Sequence, residues 1–85
     1  MGVLTELPNI GEVIEKQLNL VGIMTYEQLR ECGSEQAWLK IRLIDSSACI
    51  HRLYALEGAI QGRMKSLLPP ETKEELKEFY NAFSK

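Results

Sequence analysis

Leu7-Pro8-Asn9-Ile10-Gly11 is the stretch of this chain whose residue types and spacing could do chemistry on a partner. A glycine-containing turn just ahead of a helix lets backbone N–H groups meet a phosphate directly, and the positive end of the helix dipole favours the anion. Gly11 fits the closely approached position of such a turn. Asn9 stands where another glycine would serve, and asparagine tolerates left-handed backbone better than most residues. Lys16 is the one cation nearby, while Glu12 and Glu15 oppose a phosphate. The plainer reading is a turn that starts a helix in a packed domain.

A second set of cations lies in the middle of the chain. Eleven positions separate Arg52 from Arg63, three turns of a helix, so on one long helix they share a side. Lys40 and Arg42 could line a groove with them. The candidate nucleic-acid contacts are therefore Asn9, Gly11, Lys16, Arg52 and Arg63. His51 and Cys49 lie two positions apart and point in different directions on a helix, which suits neither a Cys–His nucleophile pair nor a metal site. No catalytic residue, cofactor site or metal site is expected, and the chain does not read as an enzyme.

These residues need helices to position them. Ile10, Val13, Ile14, Leu18 and Val21 share one face, so the first helix is placed at Ile10–Val21, with Asn9 as N-cap, Glu12 completing a capping box and Gly22 as the stop. Thr25 and Gln28 form a capping box for a second helix at Tyr26–Cys32, with Met24 and Leu29 as its hydrophobic staple and Gly33 as its end. A third follows with Ser34 as cap and Ala37, Trp38, Ile41 and Leu43 or Ile44 facing inward. Asp45-Ser46-Ser47 breaks the chain ahead of a long fourth helix, about residues 47–68 and roughly 30 Å long. Pro69-Pro70 ends it and sets up a fifth helix, about residues 71–83, whose outer face of Lys73, Glu74, Glu75, Lys77 and Glu78 reads as solvated i,i+4 pairs. On the fourth helix Cys49, Leu53, Leu56, Ile60, Met64 and Leu67 form an apolar face. Ala48, Ala55, Gly58, Ala59, Gly62 and Ser66 form a small one. Two glycines inside a helix need a reason, and a close helix contact at Gly58 and Gly62, within the fold or across a dimer, supplies one.

Eighty-five residues, 45% of them apolar, fit a single domain spanning residues 1–85. The net charge of −2 is unevenly spread: glutamates dominate residues 1–35, and cations dominate residues 36–70. The chain opens without a basic, apolar leader and has no stretch able to span a bilayer, so a cytoplasmic protein without a membrane partner is expected. Cys32 and Cys49 read as reduced thiols.

Two resemblances add to this. The Asn9 turn with its flanking segments resembles the second half of a helix-hairpin-helix element. Arg52-Leu53-Tyr54-Ala55-Leu56-Glu57-Gly58-Ala59-Ile60-Gln61-Gly62, with Leu68-Pro69-Pro70-Glu71, Glu35-Gln36-Ala37-Trp38-Leu39 and the Asn9 turn, resembles the C-terminal domain of the TfoX (Sxy) family from about Leu4 to Phe83. The segment Arg63-Met64-Lys65-Ser66 lacks the Trp-His pair associated with that family. The resemblance implies a compact helical unit that follows a separate N-terminal domain in regulators of competence for DNA uptake. It transfers no binding residue.

The expected architecture is all-α. It is a compact five-helix domain with a helix-hairpin-helix-like N-terminal half packed on the long central helix and a C-terminal helix. The expected function is a non-catalytic interaction module that binds a protein partner or a second copy of itself. The alternative is a weak, sequence-independent DNA binder that uses the turn at Asn9 and Gly11.

Overall fold

The computed structural model describes residues 4–83; the first three residues of the Met1–Glu6 lead-in lie outside them. Five helices follow in order: α1 (Glu12–Leu20), α2 (Tyr26–Cys32), α3 (Ser34–Ile44), α4 (Ile50–Gln61) and α5 (Pro70–Phe83). Short 3-10 turns at Leu4–Glu6 and Lys65–Leu67 complete the architecture, and no strand occurs among the described residues. The central helix α4 packs against α2, α3, α5 and the second 3-10 turn. Trp38, Leu4, Leu18, Leu29, Ile41, Leu53 and Leu56 are fully buried. The Trp38 ring meets Phe79 edge-on at 6.2 Å and Tyr80 at 5.4 Å, and its Nε1–H donates to the Cys49 carbonyl at 3.2 Å. One indole thus ties α3 to α5 and to the start of α4.

Local capping chemistry sets several helix ends where the sequence places them. At the end of α1, Gly22 N–H donates to Asn19 O and Ile23 N–H to Leu18 O, the paired bonds of a Schellman stop. Thr25 Oγ1 accepts from Gln28 N–H at 3.1 Å, and Gln28 Oε1 accepts from Met24 N–H at 2.6 Å. Pro70 opens α5, where its missing N–H leaves no bond unmade.

The start of α1 differs from expectation. Gly11, not Asn9, is the N-cap, and it offers no side-chain cap. Asn9 is left-handed at φ 69°, which aims its amide across the molecule. Val13, expected inside, is exposed, whereas Glu15 is buried. The Glu15 carboxylate accepts from Leu4 N–H at 2.9 Å and Thr5 N–H at 3.3 Å, so this face of α1 turns inward to hold the first 3-10 turn. Ser34 is likewise not a cap: Gly33 holds that position, and buried Ser34 donates its hydroxyl to Glu57 Oε1 at 2.6 Å.

The largest difference concerns α4. It has 12 residues, not a span of 47–68, so it is about 18 Å long. Its start is delayed because Ser47 donates both its N–H and its hydroxyl to Asp45 Oδ1, making an Asx turn in place of a helix cap. Its end comes at Gly62, left-handed at φ 73°, with Arg63 N–H donating to Gly58 O at 2.9 Å. The chain then turns back, so Met64 and Leu67 leave the expected apolar face and are exposed. Leu43 and Ile44 are also exposed, not inward-facing.

Gly58 and Gly62 therefore serve different ends. A Cβ on Gly58 would lie 2.5 Å from Asn9 Nδ2 and 2.7 Å from the Arg63 carbonyl oxygen, a close approach within one chain. A Cβ on Gly62 would meet nothing within 4 Å; this glycine is needed for its backbone conformation and makes no close helix contact within the chain. Gly58→Ala is expected to lower stability by about 1–3 kcal/mol, as overpacking does. Gly62→Ala is expected to lose about 1 kcal/mol through its left-handed backbone. Urea unfolding checks both. Gly62→Asn should recover part of its loss, because asparagine tolerates that region, while Gly58→Asn should not.

Candidate functional site

Three surfaces could engage a partner. The first is a hollow of about 210 Å³ between the Asn9 turn and the first turn of α4, lined by Asn9, Ile14, Cys49, His51, Arg52, Ala55 and Lys65. Asn9 forms its wall by spanning the chain: Nδ2 donates to Arg63 O at 3.1 Å and Ala55 O at 3.4 Å, and Oδ1 accepts from Lys65 N–H at 3.1 Å. Arg52 reaches the hollow from α4 and holds an ion pair to Asp45 at 2.9 Å through Nη1, which also donates to Gln17 Oε1 at 3.3 Å. Gln17 in turn donates to Asp45 Oδ2 at 2.8 Å.

Asp45 is the hub of that network. The Ser47 hydroxyl, then the Ser47 N–H, Arg52 and Gln17 hold its carboxyl well below the ordinary value of 3.8. A carboxylate depressed in the folded state contributes its full stabilisation above the unfolded value and loses it as pH falls.

The residues proposed from sequence are thus only partly gathered. Asn9 and Arg52 share the hollow, but Gly11, Lys16 and Arg63 do not line it. Lys16 is exposed on α1, and Arg63 lies beyond α4, so it does not share a helix side with Arg52. Lys40 is exposed on α3, and the Arg42 guanidinium sits 5.3 Å from the centre of the Trp38 ring. Lys65 and His51 join the hollow instead. Lys65 carried no sequence signal, because it arrives only when the chain reverses at Gly62. His51 and Cys49 both line the hollow, and no group of three or more His, Cys, Asp or Glu among the described residues is arranged to hold a metal.

The second surface is a hollow of about 310 Å³ where α3, α4 and α5 meet, lined by Glu35, Glu57 and Glu75 with Ser34, Thr72 and Leu76. Burial, then the charges of Glu57 and Glu75, raise the Glu35 carboxyl above its ordinary value of 4.5. The third surface is apolar. Val13 is 66% exposed, Leu20 68%, Leu43 87% and Ile44 51%. Val13, Gln17 and Leu20 share a stripe of α1. The Gln17–Asp45 hydrogen bond brings that stripe beside the last turn of α3, which carries Leu43 and Ile44. Periodicity assigned Val13 and one of the α3 pair to the core, so this surface was hidden by the same pattern that found the helices.

Fold and surfaces define a small all-α domain of five short helices around one tryptophan-centred core, with no helix among the described residues long and apolar enough to cross a membrane. The chain belongs to the TfoX C-terminal domain family, which it matches over residues 2–80. It is 35% identical over 81 residues to Protein Sxy of Escherichia coli (strain K12), covering 95% of this chain and 39% of that protein. It is 33% identical over 73 residues to the DNA transformation protein TfoX of Haemophilus influenzae, covering 86% of this chain and 34% of that protein. The chain therefore spans well under half the length of these relatives. Crystal structures of an uncharacterised protein from Listeria monocytogenes in a triclinic form and of a protein of unknown function from Listeria monocytogenes in a tetragonal form are each 48% identical in sequence and share the fold. The triclinic form has a TM-score of 0.91, with 93% of this chain and 90% of that chain covered; the tetragonal form has 0.90, with 93% and 96%.

Two predictions follow from the titrating groups. Asp45→Asn should lower stability at pH 7 and flatten the loss that the parent chain shows below about pH 4, measured by urea unfolding across pH. Glu35 has the opposite sign: its raised value disfavours the charged form, so its penalty appears as pH rises through that value. Glu35→Gln should raise the melting temperature at pH 7 and leave it nearly unchanged in acid.

Proposed function

We propose that this chain is a non-catalytic interaction module of TfoX-type regulators, binding a protein partner or a second copy of itself. The observation that carries the reading is the exposed apolar set Val13, Leu20, Leu43 and Ile44. Single exposed apolar residues are ordinary, but several on adjoining elements are the usual mark of a protein contact. Family membership supports a regulatory setting, and the name of the Haemophilus relative points to DNA transformation as the process. No catalytic role is assigned. Asp45 is held by Ser47, Arg52 and Gln17.

The second reading, sequence-independent DNA binding through the turn with Lys16, draws less support. Its cations are not gathered, and Glu12 stands exposed in the first turn of α1. Exchanging Lys16 for Glu should leave any DNA affinity unchanged, and a clear loss in an anisotropy titration would restore that site.

The main reading is tested by sedimentation over a wide concentration range. The parent chain should sediment as more than a monomer at high concentration, and Leu43→Glu should return it to monomer. Because Leu43 is a surface residue, that exchange should change folding stability by no more than about 0.5 kcal/mol. Monomer at every concentration would remove self-association and leave a different protein as the occupant.

A further inference from the structure

The hollow beside the Asn9 turn differs in kind from three other hollows of the described residues. Those three are each lined by two or more glutamates: Glu35, Glu57 and Glu75 in one, Glu71, Glu74, Glu75 and Glu78 in a second, Glu6 and Glu27 in a third. The hollow at Asn9 has no carboxylate in its lining and carries Lys65, Arg52 and His51. In a chain of net charge −2 this lining stands apart, although Asp45 lies just behind it and neutralises part of the Arg52 charge.

The donors are available. Arg52 commits only Nη1 to Asp45 and Gln17, so Nε and Nη2 remain. Lys65 lines the hollow, is held there through its backbone N–H to Asn9 Oδ1, and is exposed. His51 makes an edge-on contact with Tyr54 at 6.2 Å and is otherwise exposed. Cys49, the N-cap of α4, also lines the hollow and makes no side-chain cap bond. At about 210 Å³ the hollow is smaller than the range of about 300–1,000 Å³ that organic ligands occupy, which suits a small oxyanion.

We propose that this hollow binds a single phosphate group, held by the Lys65 ammonium, the free donors of Arg52 and the His51 ring. This site is independent of the protein-binding reading and uses neither Lys16 nor the apolar surface. The Asn9 bridge matters to it by placement: it brings Lys65, distant in sequence, against the first turn of α4. A phosphate rather than a carboxylate is favoured because its tetrahedral oxygens can be shared among donors arriving from two separate segments.

The test is a titration of the 15N-labelled chain with inorganic phosphate at constant ionic strength, followed by amide shifts. The expected result is saturable movement of the Asn9, Ile50, His51, Arg52 and Lys65 amides with one common dissociation constant. Lys65→Glu should weaken it by about tenfold or more, since a hydrogen bond to a charged group is at stake. His51→Gln, at an exposed position, should weaken it as well. Lys40→Glu on α3 should not. Shifts that fail to saturate, an unchanged constant in Lys65→Glu, or an equal loss in Lys40→Glu would overturn the site. A parallel titration compares one short single-stranded oligonucleotide with and without a 5′-phosphate. Preference for the phosphorylated end identifies a terminal phosphate. Equal binding, lost in Lys65→Glu, identifies backbone phosphates. Binding of inorganic phosphate alone identifies a free anion.

Discussion

The Asn9 side chain is the constraint on which the rest of this fold depends. Its amide joins residues 46 to 56 positions away, bonding Ala55, Arg63 and Lys65 in one stroke. For that, Asn9 must be left-handed, Gly58 must lack a side chain, and α4 must end early enough for Arg63 and Lys65 to return. Each of these conditions is met by a residue whose type would otherwise be hard to account for. The hydrogen bonds lie partly exposed, so each contributes on the order of 1 kcal/mol; their weight comes from fixing two distant segments at once. The Trp38 cluster supplies the larger apolar burial, while the Asn9 bridge holds the segment just beyond α4.

How much of this was legible in sequence follows from the range of each interaction. Gly22, the Thr25–Gln28 pair and Pro70 act within a few residues of themselves, and their helix ends fall where they indicate. The all-α class and the count of five helices rest on such local signals and on periodicity. The end of α4 was not legible. Leu56, Ile60, Met64 and Leu67 continue a helical repeat across Gly62, and a glycine inside a helix looks the same in sequence as one that stops it. What separates them is the Asn9 amide on Gly58, a contact that no local window contains. Glu15 makes the same point from the other side: a buried carboxylate that caps an upstream turn breaks the apolar pattern and pushes Val13 to the surface.

The candidate sites show the same division. Arg52 was recognisable as a cation and Asp45 as a turn residue, but their ion pair, and the Gln17 bond that completes it, depends on how α1 lies against α3 and α4. That arrangement has two consequences at once. It takes part of the Arg52 charge out of play, and it sets the exposed stripe of α1 next to Leu43 and Ile44. The Arg52–Asp45–Gln17 contacts thus link α1, the end of α3 and α4, the elements that carry both the hollow and the exposed apolar residues. A chain read only by residue type would assign Arg52 to a groove with Arg63 and would leave Leu43 in the core.

Net charge is a poor guide to this molecule for a related reason. The described residues span 33 × 26 × 20 Å, while charges are screened over about 10 Å at 0.1 M salt. A phosphate arriving at Lys65 and His51 would therefore be governed by the charges nearest to it, the Arg52–Asp45 pair among them. The same screening argues against a polyanion laid along the surface. Such a ligand would need further cations in line with the hollow. Of the other cations named from the sequence, Lys16 and Lys40 do not line the hollow, and Arg63 stands beside it through its carbonyl, which accepts from Asn9. The hollow as proposed takes one phosphate group at a time, and broader contact belongs to the proposed protein-binding surface.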